Sequence, residues 1–373
     1  MNPSLSTGLS IIVPVYNIAP YIEQCLHSIL QQLEPHHELI VIDDGSKDHS
    51  LALVTQLQAG WQGANFQVIS QPNEGLAGVR NNGVRAARGD YIVWVDGDDV
   101  LQEGILAQLD QAIAAHKPDV IACDFNMWHP QEPGKTYYSK LGYPPNTVMR
   151  NIDAILNDFL ATRKMYVWTN VIRRDIYAQL PDPVFPPGRV FEDISTTPRL
   201  LSQCASLLYL PKPIIDYRQH PASITQSISE KWCMDFASAL PVSRQHLKER
   251  GVSESVKRHF DITAGHFFIG VYKSTYQLPT DAGKRVRASI GQSFVDNLFG
   301  DCTSMRATVQ RRDTVSQDRE SDMRMIRQVQ HALSGNLWFH IAQSASRKLK
   351  LWRQARKLRR HEASIAAAGK PAS

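Results

Sequence analysis

Apolar and polar positions alternate in regular blocks along the first third of the chain. Leu9 to Val13 is apolar apart from Ser10, and Pro14-Val15-Tyr16-Asn17 turns out of it. From about Tyr21, apolar residues recur at helical spacing, with Ile22, Leu26, Ile29, Leu30 and Leu33 on one face. Glu38 to Ile42 reads as a second strand and runs into Asp43-Asp44-Gly45-Ser46. A helix then starts near Asp48 or Ser50, either of which can cap it, with Leu51, Val54 and Leu57 turned inward. The alternation continues as a strand at Phe66–Ile69, a helix at Gly75–Ala87, a strand at Tyr91–Val95, a helix at Glu103–Ala115 and a strand at Val120–Asp124. Strands separated by helices of roughly 10–15 residues predict right-handed crossovers and a mainly parallel, doubly wound α/β sheet.

Farther along, Pro130–Asn146 is rich in Pro, Gly, Tyr and Lys and reads as a loop or small hairpin; Ile152–Ala161 reads as a helix and Leu207–Leu210 as a strand. Strand signals stop beyond about Ser229. The pattern therefore divides the chain into an α/β part, residues 1–228, and a helical C-terminal part, residues 229–373. In the second part, helices are expected over Glu230–Leu247, interrupted at Pro241, and over Val256–Tyr276. Ala307–Gln330 carries charges of both signs and reads as a solvated helix. Trp338, Ile341, Ala345, Leu349, Trp352 and Ala355 recur at three- and four-residue steps, drawing a stripe down one face of a last helix.

Composition adds bounds. A chain of 373 residues with 43% hydrophobic and 21% charged content suits a soluble protein with a sizeable core. Its five cysteines are scattered without a Cys-x-x-Cys pair, which favours buried, reduced thiols over disulfides or zinc. No apolar run approaches a membrane span or a signal-peptide core, so the expected location is cytoplasmic.

In a doubly wound sheet, ligands bind beyond the carboxyl ends of the strands. Three predicted strand ends carry polar clusters there: Pro14–Asn17, Asp43–Ser46 and Asp96-Gly97-Asp98-Asp99. Three carboxylates at the end of a buried strand repel one another unless a hard cation such as Mg2+ or Mn2+ lies among them. The other reading is an acidic turn in which Asp98 or Asp99 caps the following helix. Gly-x-Gly-x-x-Gly is absent after the first strand, and so is a Gly-Lys-Ser/Thr phosphate loop. A nucleotide bound here would therefore need its phosphates held by metal and carboxylates.

Ile12-Val13-Pro14-Val15-Tyr16-Asn17, Val41-Ile42-Asp43-Asp44-Gly45-Ser46-x-Asp48, Asn73-Glu74-Gly75-Leu76 with Arg80-Asn81-x-Gly83, and Asp96-Gly97-Asp98-Asp99 follow in order. Together they resemble the family-2 glycosyltransferases of GT-A fold, over roughly the first third of the chain. The resemblance implies a Rossmann-like, mainly parallel nucleotide-sugar fold. It implies that Pro14, Val15, Tyr16 and Asp44 line the base pocket, with Asp44 accepting a hydrogen bond from the base. Arg80 would lie near base and diphosphate, Asp96 at the ribose or a metal-bound water, and Asp98 on the metal. Without the resemblance, Arg80 reads as a surface arginine and Asn73-Glu74-Gly75 as a capped loop.

Val79 departs from the alanine commonly found before the Arg-Asn pair. Tyr166–Arg174 resembles the family's tryptophan-led segment beside sugar and acceptor, with the role of Asn170 open. The resemblance makes Asp193 the candidate general base with Glu192 beside it, although both also suit the positive end of a helix dipole. Arg218 and His220, ahead of Ser223-Ile224-Thr225, are candidates for contact with the diphosphate or donor sugar; His220 is also a candidate metal ligand or a structural loop histidine.

Between Arg347 and Arg360 lie eight basic residues and no acidic one. That pattern suits peripheral contact with the inner face of an anionic membrane, or equally a helix packed on the catalytic domain; no nucleic-acid module accompanies it. The expected activity is metal-dependent, inverting sugar transfer from a nucleotide-diphosphate donor, with UDP favoured. The expected acceptor is a glycan or lipid-linked acceptor in cell-surface polysaccharide or lipopolysaccharide synthesis. The alternatives are a sugar-nucleotide or phosphoryl transferase and a non-catalytic GT-A scaffold.

Overall fold

The computed structural model describes residues 8–63, 65–145, 147–220, 228–311 and 318–346. The expected alternation is present as β1 (Leu9–Val15), α1 (Ala19–Leu30), β2 (Glu38–Asp43), α2 (Ser50–Gly60), β3 (Phe66–Ser70), α3 (Gly75–Ala86), β4 (Tyr91–Trp94), the short β5 (Val100–Leu101), α4 (Ile105–His116) and β6 (Val120–Trp128). The predicted hairpin is β7 (Tyr137–Ser139), antiparallel to β6. Then come β8 (Val148–Met149), α5 (Ile152–Thr162), β9 (Asn170–Arg173), α6 (Arg174–Tyr177), α7 (Glu192–Leu201) and β10 (Leu207–Arg218).

One sheet holds all of these strands, in the order β3-β2-β1-β4-β9-β6-β10-β5, with β7 on β6 and β8 on β10. β1, β2, β3 and β4 are mutually parallel, as are β6 and β10. β9 runs antiparallel between β4 and β6, an insertion that the strand pattern does not reveal. Leu9, Ile11, Ile12, Val13, Leu39 to Ile42 and Tyr91 to Val95 are almost wholly excluded from water, as the continuous apolar runs of a sheet covered on both faces require.

Beyond β10 the described residues form helices: α8 (Glu230–Glu249), α9 (Glu254–Ser274), α10 (Thr280–Asp296), α11 (Cys302–Gln310) and α12 (Arg319–Leu333), followed by a helical segment, 337–346. α8 packs on α7 and α9 on α5. Two expectations are corrected. α8 passes through Pro241 without a break, and α12 is not merely solvated. α12 buries Met325, Ile326 and Val329 against the core, and with them Asp322, which accepts hydrogen bonds from Arg163 at 2.5 Å and His266 at 2.7 Å. A charge-dense sequence can hide a buried carboxylate when its partners come from other helices. The five cysteines are free thiols, and four are buried. Ser223–Thr225 and the basic run from Arg347 lie outside the described residues.

Candidate active site

β1 lies between β2 and β4 in parallel register, so the polar clusters following these three strands emerge side by side. Pro14 and Val15 are buried in β1, and Tyr16, just beyond it, exposes a ring at 45%. Asn17 takes a left-handed φ of 51°. Its Oδ1 accepts the Lys47 N–H at 2.7 Å, and its own N–H donates to Ser46 Oγ at 3.1 Å, joining the first two loops. Asp48 Oδ1 accepts the N–H of Ser50, the first residue of α2, at 2.9 Å, as expected of a residue capping that helix. Asp48 Oδ2 and Ser50 Oγ accept the N–H groups of Ala19 and Ile18, bracing the start of α1.

Asp44 is buried and already engaged. Its Oδ1 accepts from Gln71 Nε2 at 2.9 Å and the Glu74 N–H at 2.8 Å, and its Oδ2 from the Gly75 N–H at 2.9 Å. It therefore fastens the β2 loop to the start of α3. Asp43 is the carboxylate with spare capacity: Oδ2 accepts from Ser46 at 3.2 Å, while Oδ1 is buried without a partner among the described residues.

α3 carries a three-part device in Arg80-Asn81-x-Gly83. A Cβ on Gly83 would sit 2.8 Å from Ile12 Cγ2, so only glycine lets the helix settle this closely on β1. Asn81 clasps the Phe185 backbone, donating to its carbonyl at 2.8 Å and accepting from its N–H at 2.9 Å. That clasp holds the segment leading into α7. Arg80, 1% exposed, lies against the rings of Trp94 and Phe185. It donates to Glu192 at 2.5 Å, to Asp193, and to Asp96 at 3.3 Å.

The Arg80 guanidinium is enclosed by the site's own carboxylates and joins the two acidic motifs. Burial opposes its charge, but Asp193, Glu192 and Asp96 outweigh that and hold the proton more firmly than usual.

Glu192 and Asp193 open α7, at the positive end of its dipole, behind Phe191 in a left-handed conformation with φ 66°. Glu192 is nearly sealed, whereas the Asp193 side chain keeps 16% of its surface. Burial, Glu192 and Asp96 push the Asp193 carboxyl up to about 7, against the opposing pull of Arg80.

The acidic loop is equally constrained. A Cβ on Gly97 would approach Ile18 Cδ1 at 2.5 Å and the Pro14 carbonyl at 2.8 Å, so Gly97 lets the loop lie against β1 and α1. Asp96 and Asp98 each expose about a quarter of the side chain (25%), and Asp99 none. Burial, aided by Asp98 and Glu192, raises Asp96 to about 6; burial, Asp98 and Asp96 raise Asp99 well above the carboxylate range.

Asp99 does not cap α4, whose N-cap position is Gly104 and which has no side-chain cap. Its Oδ1 accepts the Arg218 N–H at 2.8 Å, and its buried Oδ2 has no hydrogen-bond partner among the described residues. Arg218 is held by Asp98 O at 2.6 Å and Gln24 Oε1 at 2.7 Å, with its guanidinium 4.2 Å from the Trp128 ring centroid. It thus fastens β10 to the acidic loop. His220 Nε2 lies 2.8 Å from Asp98 Oδ2, and its buried Nδ1 has no hydrogen-bond partner among the described residues.

Asp96, Asp98 and the His220 imidazole beside Asp98 are donor types that suit Mg2+ or Mn2+, but no three of these ligand atoms lie within 4.8 Å of one another. Among the described residues, three potential ligands converge within 4.8 Å only at His36, His37 and Asp110, at the N-terminal end of β2. There the Glu34 N–H donates to His37 Nδ1 at 3.4 Å, leaving the ring proton on Nε2 to bond Asp110 at 3.0 Å. Hydrogen bonds satisfy that cluster. In the tryptophan-led segment, Trp168 is buried and stacked on Tyr166, and Asn170 donates to the Tyr166 carbonyl at 3.0 Å.

Residues 10–179 match the family model described as glycosyl transferase family 2. The uncharacterized glycosyltransferase EpsJ of Bacillus subtilis is 30% identical over 230 residues, 61% of this chain and 65% of its own length. Glycosyltransferase GlyA of Streptococcus pneumoniae is 26% identical over 238 residues, 62% of this chain and 33% of its own. The chain thus spans less than two-thirds of either relative. In fold, it resembles the crystal structure of S. aureus TarS 1-349 in complex with UDP-GlcNAc, with a TM-score of 0.65, 18% identity and 92% coverage of both chains.

Proposed function

From a chain that carries a family 2 glycosyltransferase domain on a GT-A fold, we propose an inverting transferase that takes a sugar from a nucleotide-diphosphate donor, UDP-linked, to a glycan or lipid-linked acceptor of a cell-surface polysaccharide. The observation that carries the proposal is the joining of Asp96 and the Glu192–Asp193 pair through one buried arginine, at the end of the sheet where nucleotides bind. The UDP-GlcNAc held by TarS supports a UDP donor.

In the proposed reaction, Asp193 accepts the proton of the acceptor hydroxyl as that oxygen attacks the anomeric carbon. The new glycosidic C–O bond forms as the bond to the diphosphate breaks on the opposite face, and the nucleoside diphosphate leaves. A carboxyl with pKa about 7 is well matched to this task near neutral pH, and its remaining exposure leaves it open to the acceptor. Glu192 and Arg80 hold the base and set its pKa. Tyr16, exposed beside the β1 exit, offers a face for the nucleobase, with Pro14, Val15, Asp43 and Asp44 behind it. Asp98, with Asp96 and His220, would hold Mg2+ or Mn2+, which when bound offsets charge on the diphosphate leaving group.

The direct test is nucleoside-diphosphate release from a panel of nucleotide sugars with Mg2+ or Mn2+ present. Release from a UDP-sugar that Asp193→Asn lowers by orders of magnitude is the expected result. No release from any donor would favour a non-catalytic scaffold. For the metal, calorimetry with Mn2+ should show nucleotide binding lost in Asp98→Ala; unchanged binding would remove that assignment.

A further inference from the structure

The segment 337–346 is seated by one face only. Asn336 Oδ1 caps its start by accepting the Phe339 N–H at 2.9 Å. Phe339 is buried beside Tyr272, with ring centroids 6.3 Å apart, and His340 bonds the Tyr276 hydroxyl. The other side presents Leu337 at 68%, Trp338 at 78% and Ile341 at 47% exposure. Leu337 also lines an open groove of about 750 Å³ with Leu333 and Val295, which are themselves exposed, so the apolar surface is continuous from α10 to this segment. A helix that only needed to pack on its own domain would turn its tryptophan inward, as Trp94 and Trp168 are turned here.

Charge identifies what this surface meets. Of the 41 Lys and Arg and 36 Asp and Glu in the chain, residues 347–373 hold nine and one. The preceding 346 residues therefore carry a net charge of −3, and the last 27 carry +8. An acidic body with a basic terminal stretch directly after exposed Leu, Trp and Ile orients itself on an anionic surface that also accepts apolar side chains. The sequence beyond 346 repeats the same composition, with Leu349 and Trp352 among eight basic residues. Lys284 and Arg287 border the groove and add positive charge; Asp281, 3.9 Å from Lys284, and Asp296 beside Val295 are the nearby acids. No helix among the described residues is long and apolar enough to cross a membrane.

We propose that Leu333, Leu337, Trp338 and Ile341, bordered by Lys284 and Arg287, form a docking surface for an anionic lipid bilayer, to which the positive charge of the sequence beyond 346 draws the chain. The apolar side chains enter the interfacial layer while Lys284 and Arg287 meet the headgroups. This rests on the exposed surface and the charge distribution, and stands apart from the reading of the active site.

Co-sedimentation of the full chain with phosphatidylcholine vesicles, with and without 30% phosphatidylglycerol, tests it. The chain should pellet with the anionic vesicles, bind phosphatidylcholine alone at least tenfold more weakly, and release at high salt. Trp338→Glu and Ile341→Glu should each lower anionic binding at least tenfold without moving the thermal midpoint, because both side chains are solvated in the free protein. Replacing Arg353, Arg356, Lys357, Arg359 and Arg360 by Gln should do the same. Equal binding to both vesicles would overturn the charge argument, and full binding by Trp338→Glu and Ile341→Glu would overturn the apolar one. Absence of vesicle binding with a stable dimer in solution would assign the surface to a second copy instead.

Discussion

Removal of the Arg80 charge tests the architecture of the site more sharply than removal of any single carboxylate. In Arg80→Met the side chain keeps apolar contact with Trp94 and Phe185 and loses only its ion pairs. Breaking a buried pair by deleting one partner costs about 3–5 kcal/mol. Asp193 and Asp96 retain 16% and 25% of their side-chain surface, which places the expected loss near the low end, about 3 kcal/mol. Without the guanidinium, part of that loss returns as a further upward shift of the Asp96 and Asp193 carboxyls, which Arg80 now pulls down against their burial.

The loss must therefore depend on pH. Asp96 and Asp193 already titrate near 6 and 7 in the folded chain, and without Arg80 they titrate higher. A folded-state pKa above the unfolded value of about 3.9 means the folded form holds its protons more tightly, so stability falls as pH rises through the folded values. Urea unfolding of both proteins at pH 5 and pH 8.5 is the assay. The difference should be small at pH 5, where Asp96 and Asp193 are protonated in the variant, and about 3 kcal/mol at pH 8.5. The acidic limb of transfer activity, which rises with pH as Asp193 ionises, should move to higher pH. A pH-independent loss, or none at pH 8.5, would refute the view that Arg80 neutralises both motifs.

Asp193→Asn should leave donor binding intact and reduce transfer by about 10²–10⁴, the usual range for a positioned base; near-normal turnover in single-turnover kinetics would move the base elsewhere. Gly97→Ala forces a Cβ to 2.8 Å from the Pro14 carbonyl, so the acidic loop must shift. An overpacking loss of about 1–3 kcal/mol and weakened nucleotide binding are expected, and unchanged calorimetry would show the loop to be compliant. Asp322→Ala strands Arg163 and His266 and should lower stability by up to about 3 kcal/mol, discounted because Arg163 is 25% exposed. Thermal melts would show a drop of several degrees with nucleotide affinity preserved.

Apart from the two-residue β5, the order of strands and helices to β6 and the convergence of three polar loops were legible in the sequence, because apolar periodicity and turn residues act locally. So was the candidate acidic chemistry: Asp96 and Asp98 flank a glycine at the end of a buried strand, and Glu192 and Asp193 lie at a helix start. Sequence pattern could not place β9 antiparallel between β4 and β6, since pairing across the sheet depends on distant segments.

Nor could it show what the recognised residues touch. Arg80 reads as a surface or donor-site arginine until Gly83 brings α3 onto β1 and Asn81 draws the Phe185 segment across it, leaving the guanidinium enclosed by carboxylates up to 113 residues away. Nor does the sequence show that the start of α3 supplies two backbone N–H groups to Asp44. Local pattern determined which elements form and which residues carry charge; long-range packing determined which carboxylates were sealed, as Glu192 and Asp99 are, and which, on Asp193, Asp96 and Asp98, kept part of their surface in solvent.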